Sequence, residues 1–64
     1  MYHLNSTSIK AADYDPANRR LYIWFPDHGP YTFYRVPESV FLGLLRASSP
    51  GTYYHEKIRG RYSL

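Results

Sequence analysis

Two runs of aromatic and β-branched residues, 20–25 and 31–36, constrain the fold of this chain more than any other feature of its sequence. Such residues pack well on a pleated surface and are typical of strands. Residues 26–30 separate the runs, begin and end with proline, and include Gly29, which can supply the positive φ of a reversal. The pattern predicts an antiparallel hairpin with a five-residue connection.

A loop of this length places Phe25 opposite Tyr31, and therefore 23 opposite 33 and 21 opposite 35. Because successive side chains point to opposite faces of a strand, this register divides the hairpin into two faces. One face carries Leu21, Ile23, Phe25, Tyr31 and Phe33, and the other carries Tyr22, Trp24, Thr32 and Tyr34, with Tyr22 beside Tyr34. We expect the second face to be exposed unless the N-terminal strand or the tail covers it.

The segments around the hairpin contain a further strand and two short helices. A turn at residues 15–18 follows a weaker strand pattern at 8–14. After Pro37, apolar residues recur at helical spacing and predict a helix whose buried face is Val40, Phe41, Leu44 and Leu45. Ser49 and Pro50 provide a cap and a first-turn proline for a second helix, which Gly60 ends.

These elements predict an α+β domain: an antiparallel β-meander of about three strands with two short helices packed on one face. The 64 residues are enough for a single domain over 1–64. The apolar stretches are far shorter than the roughly 20 residues that cross a bilayer, and the N-terminus lacks the apolar run of a signal peptide. We therefore expect a cytoplasmic protein with no membrane partner.

The net positive charge of the chain comes entirely from its second half. Three basic residues balance three acidic ones in residues 1–34, whereas five face two in residues 35–64, which accounts for the net charge of +3. Such a surplus attracts polyanions, although an ordinary solvated surface explains a surplus of this size equally well. The basic residues concerned are Arg35, Arg46, Lys57, Arg59 and Arg61.

No pattern in the sequence indicates catalysis. There is no cysteine, no G-x-S-x-G segment and no glycine-rich phosphate loop. His3, His28 and His55 lack the short spacings of metal ligands, and turn acids such as Asp15 usually accept backbone hydrogen bonds. We expect no enzyme activity, no catalytic residue, no metal and no cofactor.

An ordered set of short motifs resembles the KTSC domain, a family named for the C-terminus of some lysyl-tRNA synthetases and also found as free-standing bacterial and phage proteins. The motifs are Ser6-Thr7-x-Ile9, Tyr14-Asp15, Leu21-x-Ile23-x-Phe25, Gly29-x-Tyr31-x-Phe33, Val36-Pro37, Leu44-Leu45-x-Ala47-Ser48, Gly51-x-Tyr53-Tyr54 and Ile58-Arg59-x-x-Tyr62. Phe33 stands where the family has the second tyrosine of a central Tyr-x-Tyr. The resemblance implies a bacterial protein, no cofactor, and RNA binding as a suggested activity.

Two hypotheses for the function remain open. In the first, RNA or single-stranded nucleic acid stacks its bases on Tyr22, Trp24 and Tyr34 while the five basic residues contact phosphates. In the second, the same aromatic patch or an open strand edge binds a protein partner or a second copy of the chain. Arg59 also has a structural alternative, because it can anchor the tail to a carboxylate such as Asp15.

Overall fold

The computed structural model describes residues 1–63, and Leu64 lies outside the described residues. One antiparallel sheet contains, in spatial order, β1 Tyr2–His3, β2 Ala11–Asp15, β3 Arg20–Trp24 and β4 Tyr31–Phe33. The helix α1 spans Glu38–Arg46, and α2 spans Pro50–Tyr53 and continues into a π-helical segment, Tyr54–Ile58. The predicted α+β class is confirmed.

The sheet has one strand more than expected, because the two-residue β1 pairs with β2. So short a strand carries no alternation by which a sequence could reveal it. β2 also begins later than the predicted residue 8, since residues 6–9 form a turn. There the Ser6 hydroxyl accepts hydrogen bonds from the backbone N–H groups of Ser8 and Ile9, at 3.1 and 3.4 Å.

The predicted hairpin register is wrong by two residues. Ile23 lies opposite Tyr31, and Leu21 lies opposite Phe33. Tyr22 therefore faces Thr32, and its predicted position beside Tyr34 is also wrong. The cause is Phe25, whose backbone N–H donates to the His28 carbonyl (2.8 Å), so that Phe25 belongs to the loop and not to β3.

A slip of two residues keeps every side chain on its predicted face, because side chains alternate with a period of two. β4 ends at Phe33, three residues before the predicted end. Arg35 has a φ of 58°, in the left-handed region, and a strand cannot continue through that conformation. The division of the hairpin into two faces therefore survives although the register does not.

The helices begin where the sequence predicts. Glu38 opens α1 directly after Pro37, and Phe41 and Leu44 are its buried residues, whereas Val40 and Leu45 are half-buried. Ser49 caps α2 by accepting a hydrogen bond from the Thr52 N–H at 3.4 Å. The chain then leaves the helical conformation at Arg59.

The core lies between the helices and one face of the sheet, as predicted. Its buried members are Ile9, Ala12, Leu21, Ile23, Phe33, Val36, Phe41, Leu44 and Ile58. The strand residues in this set all lie on one face of the sheet, which we call the covered face. Among the described residues, the longest helix has nine residues, and none could cross a membrane.

Candidate functional site

The other face of the sheet carries no helix, and we call it the open face. It comprises His3, Ala11, Asp13, Asp15, Arg20, Tyr22, Trp24, Thr32 and, just beyond β4, Tyr34. Tyr22 and Trp24 are half-buried by their neighbours but are not packed against the hydrophobic core. The three predicted aromatic side chains are therefore not sealed beneath the helices.

Tyr34 is the most exposed of these three rings, at 43%. Continuing the β3–β4 register places it beside Arg20, and the guanidinium carbon of Arg20 lies 5.6 Å from the centre of the Tyr34 ring. A cation in this position is attracted by the ring face. The backbone N–H of Tyr34 donates to the Ser63 carbonyl (3.0 Å), so the C-terminal tail holds the outer edge of β4 at this point.

Two further arginines adjoin this pair. The Val36 N–H donates to the Arg19 carbonyl at 2.9 Å, so the backbone at Arg19 lies beside the segment that contains Arg35. Arg19 and Arg35 have φ values of 55° and 58°, which are rare for residues with a Cβ. Arg19, Arg20 and Arg35 are all exposed.

Two carboxylates lie on the open face, on β2. The Asp13 carboxylate accepts a hydrogen bond from the Tyr14 N–H (2.9 Å), which lowers the pKa of Asp13, and lies 3.2 Å from the Met1 amino group. A hydrogen bond from the Asn18 side chain (2.9 Å) is the main cause of the lowered pKa of Asp15. Both groups are therefore anionic at neutral pH. On the open face Asp15 lies directly opposite Arg20, whereas Asp13 lies opposite Tyr22.

The remaining predicted basic residues lie elsewhere. Arg46 ends α1, and Lys57 belongs to the π-helical segment, so both are in the layer behind the covered face. The Arg61 Nε donates to the Glu56 carbonyl (2.9 Å). The Arg59 Nη1 lies 3.3 Å from the His55 ring nitrogen, and within residues 1–63 Arg59 forms no salt bridge, so the alternative in which it anchors the tail to Asp15 is not observed. Of the five predicted phosphate contacts, only Arg35 adjoins one of the three rings, as the neighbour of Tyr34 along the chain.

A second aromatic surface, which the sequence analysis missed, joins the hairpin loop to the π-helical segment. We call it the hairpin–helix cluster: Phe25, His28, Tyr31, Tyr54 and His55, whose neighbouring rings are 5.0–5.5 Å apart. Burial raises the pKa of Tyr54, against the opposing effect of nearby Arg59. The members of the hairpin–helix cluster are far apart in sequence, and only the predicted proximity of Phe25 and Tyr31 pointed to this cluster.

The part of the chain that the structure describes brings together no metal-binding group. Within residues 1–63 no three His, Asp or Glu side chains lie close enough to share a metal ion, and these residues enclose no pocket. The two surfaces described above are consequently the candidate sites.

The fold and its faces define the class of this protein: a small α+β domain with a four-stranded antiparallel sheet covered on one face by helices. Comparison with known proteins then gives the family. The chain belongs to the KTSC domain family, whose sequence pattern matches residues 5–62. The missing hydroxyl of the family's central motif falls on Phe33, which is 3% exposed, and the retained one falls on exposed Tyr31.

Two relatives support this assignment. A protein of Tsukamurella paurometabola is 37% identical over 62 residues, which cover 97% of this chain and 92% of that protein. The crystal structure of a KTSC domain protein from Yersinia pestis matches with a TM-score of 0.91 and 33% sequence identity, over 95% of this chain and 86% of that chain.

Proposed function

We propose that this chain binds single-stranded nucleic acid, and RNA in particular, on the open face. The observation that carries the proposal is the row formed by Tyr22, Trp24 and Tyr34 on a sheet face without helices, with Arg20 against the last ring. Bases stack on such rings whatever their sequence, and each stacked base contributes about 1–3 kcal/mol. Arginine beside a ring adds a charge that holds the backbone.

The charges of the open face define the path of such a strand. Asp13 on β2 repels phosphates, whereas Arg20, whose guanidinium lies over the Tyr34 ring, attracts them; Asp15, opposite Arg20, offsets part of that attraction. A bound strand would therefore run along β3 and β4 and keep away from β2. This path passes over all three aromatic rings.

The basic residues of the helices have a different role in this proposal. Arg46 and Lys57 lie in the helix layer behind the sheet and not on the open face. They attract a polyanion to the molecule at low salt without contacting it. We assign the contacts to the open face alone.

The test uses two tyrosines with nearly equal exposure, Tyr34 at 43% and Tyr31 at 40%. Binding of a short fluorescein-labelled oligouridylate is measured by anisotropy for wild type, Tyr34→Ala and Tyr31→Ala. Loss of one stacked base at Tyr34 weakens binding by about fivefold or more, because stacking contributes about 1–3 kcal/mol. Tyr31→Ala, in the hairpin–helix cluster, leaves the affinity unchanged.

Two results would refute this proposal. One is wild-type binding that is absent at low salt or insensitive to salt, since phosphate contacts release counterions. The other is a larger loss for Tyr31→Ala than for Tyr34→Ala, which would move the interface to the hairpin–helix cluster.

A second candidate function is self-association. The observation that favours it is the hairpin–helix cluster, where exposed His28 and Tyr31 extend the aromatic packing of Phe25 and Tyr54 to the surface. Contiguous aromatic residues of this kind occur at the centres of protein interfaces. Light scattering, which measures the oligomeric state, tests this candidate. A wild-type dimer that dissociates in the Tyr31→Asp variant supports self-association at this cluster, and a strictly monomeric wild type excludes it.

A further inference from the structure

We propose that the open face recognises the base stacked on Tyr22, and that the Asp13 carboxylate selects guanine by accepting hydrogen bonds from its Watson–Crick edge. This inference rests on the proposed function and adds base selectivity to it. Stacking alone tolerates every base, so a preference has to come from polar groups beside the rings. Asp13 is the carboxylate of the open face that lies directly opposite one of the three rings.

The first argument is the register of the sheet, which places three open-face residues in one row. Asp13 on β2 lies directly opposite Tyr22 on β3, and Tyr22 lies directly opposite Thr32 on β4. Residues paired in this way point to the same face, with Cβ atoms about 4.5–5.5 Å apart. Neighbouring strands are about 4.7–4.9 Å apart, so a base on the Tyr22 ring extends toward the strands on both sides.

The second argument is the direction in which such a base points. The Asp13 carboxylate is anionic at neutral pH and repels phosphate, whereas the Arg20 guanidinium lies over the Tyr34 ring, just beyond β4. The sugar–phosphate backbone therefore lies on the β4 side, and the base points toward β2. Because the Watson–Crick edge of a base lies away from its sugar, that edge is the one that meets Asp13.

The third argument is the acceptor capacity of the carboxylate. Oδ1 of Asp13 accepts a hydrogen bond from the Tyr14 N–H (2.9 Å), Oδ2 lies 3.2 Å from the Met1 amino group, and the side chain is 41% exposed. An ionised carboxylate has about four acceptor sites, so about two remain for a ligand. The two existing contacts also hold the carboxylate in place, which reduces the entropy lost when a base binds.

The fourth argument is the donor pattern of the bases. A carboxylate accepts hydrogen bonds and donates none. Guanine presents two adjacent donors, N1–H and the 2-amino group, which match the two oxygens of one carboxylate. Uracil has one N–H between two carbonyl oxygens, and adenine and cytosine each have a ring-nitrogen acceptor beside their amino group. Guanine is therefore the base that fits an ionised carboxylate, and hydrogen bonds to a charged acceptor are the stronger kind.

The position of Asp13 within its strand agrees with such a role. Aspartate is depleted in strands, yet Asp13 is the central residue of β2. Its hydrogen bond goes to the N–H of the next residue, and an exposed ion pair such as the one with Met1 contributes little to stability. A residue that opposes the local preference of its strand without a matching gain for the fold is a candidate for function.

The test compares two purines, because guanine and adenine offer the same two-ring surface for stacking. Fluorescein-labelled oligouridylates of one length carry guanine, adenine or hypoxanthine at alternate positions, and anisotropy gives the affinity of each. We expect wild type to bind the guanine strand about fivefold or more tightly than the adenine strand, as a bidentate contact to a base discriminates by at least that much. The hypoxanthine strand, which lacks the 2-amino group, should fall between the two.

The decisive variant is Asp13→Asn, which keeps the shape of the side chain but replaces one acceptor by a donor. An amide matches the amino group and ring nitrogen of adenine, so the preference for guanine should be lost or reversed. The same variant should bind oligouridylate no more weakly than wild type does. The matched control is Asp15→Asn, the same change on the same strand and face, but opposite Arg20 instead of a ring. We expect this control to keep the preference for guanine.

The outcomes separate this inference from the proposed function. If wild type binds oligouridylate through Tyr34 but binds the guanine and adenine strands equally, base selectivity is refuted and the proposed function stands. If wild type binds no strand, both are refuted. A preference for guanine that survives Asp13→Asn, or that Asp15→Asn abolishes equally, would refute the role of Asp13. Each outcome is a ratio of two affinities of one protein, so a loss of stability in a variant cannot imitate it.

Discussion

The two faces of the sheet use the same residue type in opposite ways. On the covered side, the hydroxyls of Tyr14 and Tyr53 donate to the carbonyls of Val36 and Val40, and Tyr14 stacks on a helix ring 5.3 Å away. On the open face, within residues 1–63, the hydroxyls of Tyr22 and Tyr34 make no such bond. A tyrosine whose hydroxyl and ring are both engaged in the interior serves the fold, whereas one with a free hydroxyl and a ring that meets only surface groups, as Tyr34 meets Arg20, is available to a ligand.

The sharpest way to test this contrast is to truncate two adjacent residues of β3 that lie on opposite faces of the sheet, Leu21 and Tyr22. Leu21 is fully buried on the covered face, and we expect Leu21→Ala to cost about 2–5 kcal/mol of unfolding free energy. Tyr22→Ala, on the open face, should cost about 1 kcal/mol and weaken RNA binding. Urea unfolding followed by circular dichroism measures both. Similar losses of stability for the two variants would show that the open face is also part of the core.

A single methyl group tests how closely the covered side is packed. A Cβ added at Gly43, inside α1, would overlap the hydroxyl of Tyr53 and approach its ring carbon Cζ to 2.8 Å. Gly43→Ala should therefore destabilise the domain by about 1–3 kcal/mol, despite the better helix propensity of alanine. Thermal unfolding measures the loss.

The hydroxyl of Tyr53 is the source of most of this conflict, so Gly43→Ala should cost less in a Tyr53→Phe background. That background itself loses the hydrogen bond to the Val40 carbonyl, 2.9 Å long. A stabilising effect of Gly43→Ala alone would mean that helix propensity outweighs packing at this contact.

Removing one negative charge from the open face, or from the helix layer behind the covered face, should have a smaller effect on RNA affinity. Asp13 is anionic and lies on the open face opposite Tyr22. Replacing it by asparagine should tighten RNA binding at low salt by about twofold to fivefold, because one like charge near the strand is removed. Glu38→Gln, in the first turn of α1 behind the covered face, should leave the affinity unchanged. If the two variants shift affinity equally, attraction depends on net charge and not on the open face.

The smallest effect concerns the hairpin–helix cluster and alkaline pH. Burial raises the pKa of Tyr54 above its ordinary 10.0, so the neutral phenol is favoured in the folded chain. This contribution to stability is complete below about pH 10 and is lost as the pH rises through the raised pKa. Tyr54→Phe should therefore lose less stability than wild type between about pH 9 and pH 11. Identical alkaline profiles would mean that the phenol is solvated as well in the folded chain as in the unfolded one.

Periodicity was enough to predict the faces of the sheet but not its register. Alternation along residues 20–34 assigned Leu21 and Trp24 to opposite faces correctly, because that assignment depends only on parity. The register depends on where β3 ends. That end is set by the hydrogen bonds between Phe25 and His28, which are contacts within a loop and have no signature in the sequence pattern. β1 was missed because two residues carry no alternation, and only its pairing with Ala11 and Ala12, further along the chain, makes it a strand.

The candidate site was predicted in part. The three rings of the open face followed from alternation, but the basic residues were selected by counting charge along the chain. Charge counted in this way cannot distinguish Arg46, behind the sheet, from Arg20, whose guanidinium lies over Tyr34. The left-handed conformation of Arg19 and Arg35 gives no sign in the sequence, because the residues that favour it are glycine and asparagine.

The π-helical segment affects how this chain tolerates changes in its length. The N–H of Arg59 bonds to the Tyr54 carbonyl, five residues back, so this turn contains one residue more than an α-helical turn needs. A one-residue deletion there can be absorbed by tightening the turn. The same deletion within β3 would exchange the positions of Leu21 and Tyr22, and with them the inside and the outside of the sheet. Insertions and deletions in relatives should therefore accumulate at the end of the second helix and be absent from β3.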